Sequence, residues 1–221
     1  MTLLSRKLVT LLGPLIRKHA SWLLTLPLAL AVQATTAALL QTGLEQPYRQ
    51  PTPLRFNSST LEIGSQRSKL VLEEGYAEYI ASAVSIAQKA GFQLNTPVID
   101  LSGQSPGILY AMGAENIGYA WTIGGYPGSL KFAQAVLART SCEKLSIAWV
   151  LSEHDGPRSI TSEAIVNLGA AFPSSYEHVG TWQTAEGAGG YAERRTQKLY
   201  RPVEPHKTLA TCQKLRSEAI K

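Results

Sequence analysis

The residues that most resemble a catalytic motif are GQSPG at 103–107, a match to the pattern G-x-S-x-G. In serine hydrolases this pattern presents a nucleophilic serine on a sharp turn between a strand and a helix, and an aspartate and a histidine follow later in the chain. Asp155 comes next in that order, followed by His178 or His206. One interpretation is therefore a serine hydrolase in which Ser105 attacks the substrate.

Pro106 weighs against that chemistry. The backbone N–H after the nucleophile normally helps to form the oxyanion hole, and proline has no N–H. Proline also biases the preceding residue toward extended geometry, which does not suit a strained elbow. Losing one such donor costs about 3–4 kcal/mol of transition-state stabilisation. We therefore favour Ser105 as the cap of a helix that starts at Pro106, and we expect no catalysis from this chain alone.

Asp100, Ser102 and Gly103 form a candidate ligand-binding turn. Asp100 lies in the short apolar segment 97–101, and open α/β sheets bind ligands at the carboxyl ends of their strands. The Asp100 carboxylate could then contact a sugar hydroxyl or a metal. The alternative, which we prefer, is a carboxylate that accepts N–H groups from its own turn.

Aromatic residues lie in and beside the glycine-rich stretch 113–128, and among them we select Tyr110, Trp121 and Tyr126 as candidate ligand contacts. Exposed rings on loops suit carbohydrates, because a ring stacks on the apolar face of a sugar. Packing of the loop over the sheet is the commoner explanation. The four histidines are scattered without metal-ligand spacing, and the 102–107 turn lacks the lysine of a P-loop. We therefore predict neither a metal nor a cofactor.

Helical and strand patterns alternate along the part of the chain that holds these residues. Helices are predicted over 69–92, 130–139, 161–172 and 209–220, and strands over 97–101, 145–151, 176–184 and 191–203. Helices that alternate with short apolar strands predict a three-layer α/β domain. Its sheet is expected to be mainly parallel with an antiparallel C-terminal edge.

The N-terminal part has the composition of a membrane segment. Residues 22–40 carry no charge, and their length suffices for a hydrocarbon core of about 30 Å. Arg17 and Lys18 precede them, so the positive-inside rule places the N-terminus in the cytoplasm. We predict a membrane segment at 1–44 with a single transmembrane helix at about 22–40, a linker at 45–60 and a periplasmic domain at 61–221. A cleaved signal peptide is the alternative.

The charge and cysteine content exclude some classes of function. The net charge of +5 does not indicate nucleic-acid binding, because much of it precedes residue 46. Downstream, Arg194-Arg195 and their basic neighbours suit a solvated strand edge. Two cysteines, Cys142 and Cys212, are too few for a four-thiolate metal site. They could form one disulfide in an oxidising compartment, or they could be two unrelated small apolar side chains.

Several segments carry a family resemblance when they are read in order. They are VIDLSGQSPG at 98–107, GGYPGS at 124–129, and Cys142 followed by AWVL at 148–151. Behind a membrane helix and a proline-bearing linker, they resemble the soluble C-terminal domain of polytopic bacterial glycosyltransferase-like membrane proteins, which use lipid-linked sugars. The resemblance covers about residues 20–205.

This resemblance implies a location and a role but no catalytic residue. The catalytic acid of that family lies in an external loop between the first membrane helices, and nothing in this sequence corresponds to it. The resemblance implies an accessory domain, or a remnant of one, in the periplasm at the bacterial inner membrane. Its partners would be the lipid bilayer and a glycan or a polytopic membrane protein. A non-catalytic protein-interaction module is the further alternative.

Overall fold

The computed structural model describes residues 3–48 and 50–219. The chain divides into two compact units, one ending at Pro47 and the other beginning at Tyr48. The described part of the first unit is dominated by one helix, α1 (Leu3–Glu45). Among the described residues, no helix has both the length and the apolar character that crossing a membrane requires.

The second unit begins before the predicted start at residue 61. A 3₁₀ turn (Leu54–Phe56) and an antiparallel hairpin of β1 (Ser59–Ile63) and β2 (Ser68–Leu72) come first. The remaining elements are α2 (Glu74–Lys89), β3 (Pro97–Asp100), α3 (Pro106–Met112), β4 (Glu115–Asn116), α4 (Ser129–Ala138), α5 (Cys142–Ile147), β5 (Trp149–Ser152), β6 (Tyr176–Gln183), β7 (Thr196–Pro202) and α6 (Pro205–Ala219).

The central sheet has five strands in the order β4-β3-β5-β7-β6. Strand β3 is parallel to both β4 and β5. Strand β7 is antiparallel to β5 on one side and to β6 on the other. The predicted α/β class is confirmed. The sheet is mixed, because the C-terminal hairpin adds two strands beside three short parallel ones.

Helices pack on both faces of this sheet. Successive side chains of a strand point to opposite faces, and β3 shows this directly. Val98 belongs to a core with α2 and α3, whereas Ile99 belongs to a core with α4, α5 and α6. Leu151 and Val150 of β5 divide between the two cores in the same way. The sheet is therefore covered on each side by its own apolar cluster.

Several predicted elements differ from the structure; the strand predicted over 191–203 begins only at Thr196, and the helix predicted over 209–220 begins at Pro205. The helix predicted over 69–92 is shorter, because 68–72 pairs as β2 and Glu73 then caps α2 by accepting from Tyr76 N at 3.1 Å. The helix predicted over 161–172 is two 3₁₀ turns, Ser162–Ala164 and Val166–Leu168. The strand predicted over 145–151 begins only at Trp149, since α5 occupies the preceding residues.

A disulfide joins Cys142 of α5 to Cys212 of α6, with Cα atoms 5.8 Å apart. Both residues are buried in the core on the α4 side of the sheet. The bond closes a loop of 70 residues. It therefore fastens the C-terminal helix to the body of the domain.

Candidate functional site

The site lies where two neighbouring parallel strands end. After β3 the chain enters α3, whose Ile108 and Leu109 pack on one face of the sheet. After β5 it continues to Ile160 and Ile165, which pack on the other face. Connections that diverge in this way leave a crevice at the carboxyl edge, the place where open α/β sheets bind ligands.

A cavity of about 220 Å³ opens at this edge. Its volume falls just below the range of about 300–1,000 Å³ that is typical for drug-sized ligands, so it suits one small molecule. Its wall is mainly aromatic and apolar, and its floor is polar. The lining residues are Tyr76, Tyr79, Ile80, Gln104, Ser105, Pro106, Gly107, Ile108, Trp121, Ala188, Gly189, Arg195 and Gln197. We refer to it below as the switch-point cavity.

Gln197 of β7 organises the floor. Its amide nitrogen donates to Ser105 Oγ at 2.8 Å and to Glu153 Oε2 at 2.8 Å. Its amide oxygen accepts from Tyr79 Oη and from Trp182 Nε1, each at 2.9 Å. Both donors and both acceptor positions of the amide are thus in use. A flipped amide would direct its oxygen at the Glu153 carboxylate, so the four partners fix its orientation.

Glu153 is a buried carboxylate with an unusually complete set of donors. Its side chain is 1% exposed, and Oε1 accepts from Arg195 Nε at 2.7 Å. Gln104 Nε2 donates to the same oxygen at 3.2 Å, while Gln197 donates to Oε2. The Arg195 side chain is itself only 12% exposed. Glu153 and Arg195 therefore neutralise each other. The cavity floor contains a cation, but the pair carries no net charge.

Arg195 also bonds to the backbone around the cavity. Its Nη1 donates to Glu193 O at 3.0 Å and its Nη2 donates to Ala188 O at 2.9 Å. Its guanidinium lies 5.0 Å from the centre of the Tyr191 ring. A guanidinium has five N–H groups, and these bonds and the Glu153 bond engage three of them with described residues. The other two N–H groups make no hydrogen bond to a described residue, and Arg195 lines the cavity.

Asp100 lies beneath the cavity floor and holds the turn. Its Oδ1 accepts from Ser102 N at 2.8 Å and from Ser102 Oγ at 2.5 Å, and its Oδ2 accepts from Ser105 N at 3.2 Å. Burial raises the pKa of the Asp100 carboxyl, although the hydrogen bonds of the turn favour the charged form. This geometry corresponds to the turn-acceptor role that the sequence favoured for Asp100.

Ser105 occupies the N-cap position of α3, but its side chain does not cap the helix. Its hydroxyl lies 2.7 Å from Ser102 Oγ and accepts from Gln197. Ser102 has one proton, which it can donate either to Asp100 or to Ser105. Once Gln197 and Ser102 are bonded, one hydrogen-bonding position of Ser105 Oγ, either a lone pair or its own proton, is left for a group in the cavity.

The other hydrolase candidates, Asp155, His178 and His206, make no hydrogen bond with Ser105, whose partners among the described residues include Ser102 and Gln197. His178 Nε2 lies 2.8 Å from Thr181 Oγ1, and its ring packs beside Tyr200. The Asp155 side chain is 97% exposed and faces His154 at 4.0 Å. Among the described residues, Ser105 has no histidine partner.

The six predicted ligand-binding residues divide into three groups. Trp121 lines the switch-point cavity. Asp100, Ser102 and Gly103 build the turn below it. Tyr110 instead lies 3.1 Å from Ser68 Oγ of the β1–β2 hairpin, and Tyr126 lies under the Arg158 guanidinium at 4.6 Å.

The polar centre of the site was not predicted from the sequence. The structure buries Arg195 against Glu153, so the expectation that Arg195 lies on a solvated edge is wrong. Nothing in the sequence marks Gln197 or Tyr79, because their importance comes from contacts made only in the folded chain. Glu153 carried a weak signal, since it follows a buried strand at the carboxyl edge of the sheet.

No protein family, curated protein or solved structure matches this chain in the comparisons with known proteins. Among the described residues, no cluster of three or more His, Cys, Asp and Glu side chains could hold a metal ion. The geometry of the switch-point cavity is therefore the basis for assigning a function.

Proposed function

We propose that the second unit binds a small neutral polyhydroxylated ligand, one sugar ring of a cell-envelope glycan, in the switch-point cavity. It would act as a non-catalytic accessory domain that orients this glycan for a membrane-bound glycan-assembly protein. The observation that carries the proposal is the combination, in one cavity, of an aromatic wall with a polar floor that has no net charge.

The charge of the floor favours a neutral ligand. An anionic ligand would gain from Arg195, but the buried Glu153 carboxylate bonded to Arg195 opposes it by a similar amount. A cationic ligand would be attracted by Glu153 and repelled by Arg195. Hydroxyl groups, which donate and accept without charge, avoid both costs.

The hydrogen-bonding groups and the rings suit the two sides of a sugar. Arg195 offers N–H donors, and Ser105 offers one remaining hydrogen-bonding position, so a single hydroxyl or a vicinal pair could bond to both. Tyr76, Tyr79 and Trp121 supply the aromatic wall. Aromatic rings pack well against apolar C–H faces and keep a polar edge for hydrogen bonds.

The proposed location rests on two features. The Cys142–Cys212 disulfide favours an oxidising compartment such as the periplasm. In α1, several large apolar side chains are exposed, among them Trp22, Leu26, Leu28, Leu30, Val32, Leu39, Leu40 and Leu44. These apolar residues support attachment to the inner membrane through the segment at about 22–40. Carbonate extraction of membranes and protease treatment of spheroplasts test the attachment and the periplasmic side.

Ligand binding is tested with the full-length protein in a detergent that has no sugar headgroup. Glucose, galactose, mannose, N-acetylglucosamine and glucuronate are titrated by calorimetry and by tryptophan fluorescence. We expect at least one neutral sugar to bind more tightly than glucuronate. If none of the neutral sugars binds, the proposal is wrong.

Gly107→Leu is the variant that localises binding to the cavity. Gly107 lines the wall, and a Cβ atom there meets no atom within 4 Å. A leucine should therefore be accommodated without displacing neighbouring atoms, and because Gly107 belongs to the cavity lining we expect it to obstruct the ligand. The matched control is Phe56→Ala, which removes a 56% exposed aromatic residue outside the cavity. Equal sugar affinity in Gly107→Leu and the wild type would place the ligand elsewhere.

A serine hydrolase using Ser105 is the second candidate. One observation favours it, because Ser105 Oγ lines the cavity and is linked through Ser102 to the Asp100 carboxylate. This candidate predicts covalent labelling by a fluorophosphonate probe that Ser105→Ala abolishes. Without labelling of the wild type, this candidate is discarded.

A further inference from the structure

Four aromatic side chains on the connection after β4 and on the first turn of α4 are each half exposed or more. They are Tyr119 (60%), Trp121 (52%), Tyr126 (55%) and Phe132 (50%). We name these four residues the aromatic strip. Large exposed apolar groups that occur together mark binding surfaces more often than chance exposure does.

Trp121 belongs both to the strip and to the lining of the switch-point cavity. Tyr119 is two residues from Trp121, so their Cα atoms are at most about 7 Å apart. The Tyr119 ring stacks on Phe132 with centroids 5.9 Å apart and an interplanar angle of 17°. One connection therefore carries both a ring of the cavity lining, Trp121, and a ring that packs at the start of α4, Tyr119.

Hydrogen bonds hold the connection that carries these rings. Gly124 N donates to Arg158 O at 2.8 Å, and a Cβ atom at Gly124 would lie 1.8 Å from Ser159 O. Tyr126 N donates to Ser129 Oγ at 3.2 Å, and the Arg158 guanidinium packs on the Tyr126 ring at 4.6 Å. These contacts hold the backbone of the connection against residues 158–159, which limits the positions open to the rings that it carries.

We propose that the aromatic strip binds the second and following sugar rings of an oligosaccharide whose terminal ring occupies the switch-point cavity. This inference rests on the proposed function and extends it from one ring to a chain. An oligosaccharide fits because it repeats a flat C–H face along its length, and each face can stack on one aromatic residue. Because Trp121 lines the cavity, an oligosaccharide that leaves the cavity beside this residue would meet the strip.

The experiment compares chain lengths, using the full-length protein in a detergent without a sugar headgroup. The probes are neutral ladders of one to four rings built from glucose, galactose, mannose and N-acetylglucosamine. For at least one ladder we expect the Kd measured by calorimetry to fall tenfold or more between one and three rings. Tyr119→Ala and Phe132→Ala should abolish this gain and leave the affinity for one ring unchanged. Phe56→Ala, an equally exposed aromatic change outside the strip, should alter neither value.

The possible failures are distinguishable. If single sugars bind but no ladder gains affinity with length, the extended site is wrong and the proposed function stands. The extended site is also wrong if the gain survives in the Tyr119→Ala/Phe132→Ala double variant, or if these changes weaken only binding to phosphatidylcholine–phosphatidylglycerol vesicles. If no ring of any length binds, the proposed function fails as well. If thermal unfolding shows that Tyr119→Ala does not fold, the test uses Phe132→Ala together with Tyr126→Ala.

Discussion

The Gln197 amide donates a 2.8 Å hydrogen bond to the Ser105 hydroxyl across 92 positions of the sequence. Gln197 lies on the antiparallel strand β7, whereas Ser105 lies on the turn that follows the parallel strand β3. The bond therefore ties the C-terminal hairpin to the ligand edge of the parallel strands. The same amide fixes Glu153, so the position of the Arg195 guanidinium also depends on it.

Gln197→Glu should destabilise the protein in a pH-dependent way. The new carboxylate would stand where the amide nitrogen lies 2.8 Å from Glu153 Oε2. Two carboxylates at that distance cannot both ionise, so the folded pKa of the pair is raised. At pH 7 the free energy of unfolding of the variant should be lower than that of the wild type by about 3 kcal/mol or more. This difference should shrink as the pH falls toward 4, where one of the two carboxylates takes up a proton. Urea unfolding between pH 4 and pH 8 measures it.

The control for this change is Gln183→Glu. Gln183 is exposed on β6 and bonds to Thr196 Oγ1 at 2.8 Å. The same chemical change there should alter the free energy of unfolding by less than about 0.5 kcal/mol, as for most surface substitutions. Equal losses in both variants, or a loss in Gln197→Glu that ignores pH, would contradict the hydrogen-bond arrangement around Glu153.

Asp100 should make the wild-type protein less stable as the pH rises above about 4, the ordinary pKa of an aspartate. Burial raises the folded pKa of Asp100, so the native state binds more protons than the unfolded state in the window above pH 4. The stability that Asp100 contributes is full below its unfolded pKa and is lost as the pH rises through its folded pKa. Asp100→Asn cannot titrate and should remove this slope.

Asp100→Asn has a second expected effect and a simple control. The amide nitrogen would face the Ser105 N–H or a Ser102 donor, which leaves a buried donor unpaired at a cost of about 1–3 kcal/mol. Unfolding curves from pH 4 to pH 8 should show this loss together with the flatter slope. Asp155→Asn, at a side chain 97% exposed, should leave the slope as it is. An unchanged slope in Asp100→Asn would show that another group titrates.

The sequence predicted the local part of the site and missed its long-range part. Strand, turn and helix follow directly from the pattern around Asp100 and Pro106, since the residues that decide these elements are adjacent in the chain. Trp121 was identified because aromatic residues in a glycine-rich loop are conspicuous. The roles of Gln197 and Arg195 were not predicted, because a polar residue near a strand end has the same local sequence pattern whether it is buried or solvated. Only the packing of β7 beside β5 decides whether such a residue is buried or solvated.

Removing the Cys142–Cys212 bond should lower the free energy of unfolding by about 2–4 kcal/mol, the typical effect of a disulfide that closes a long loop. The closed loop has 70 residues. Urea unfolding of the Cys142→Ser/Cys212→Ser variant checks this value. Addition of a reductant should destabilise the wild type and leave the double variant unaffected. Insensitivity of the wild type to reductant would indicate that the two cysteines are not joined in the purified protein.

Two glycines that differ in their surroundings test how the loop over the cavity is held. A Cβ atom at Gly124 would lie 1.8 Å from the backbone oxygen of Ser159, whereas one at Gly107 meets no atom within 4 Å. Gly124→Ala must push the loop away from residues 158–159, which should cost at least about 2 kcal/mol of stability. Since Trp121 lies on the same loop, the variant should also bind sugar less tightly.

Gly107→Ala is the matched change, because it adds the same methyl group within α3, where glycine is less favourable than alanine by about 0.5–1 kcal/mol. Its stability should equal or exceed that of the wild type, although the methyl group slightly narrows the cavity. Thermal unfolding and sugar titration of the two variants separate loop support from cavity shape. Similar stability of Gly124→Ala and Gly107→Ala would mean that the loop yields without cost, and the support of the aromatic strip by residues 158–159 would then lose its basis.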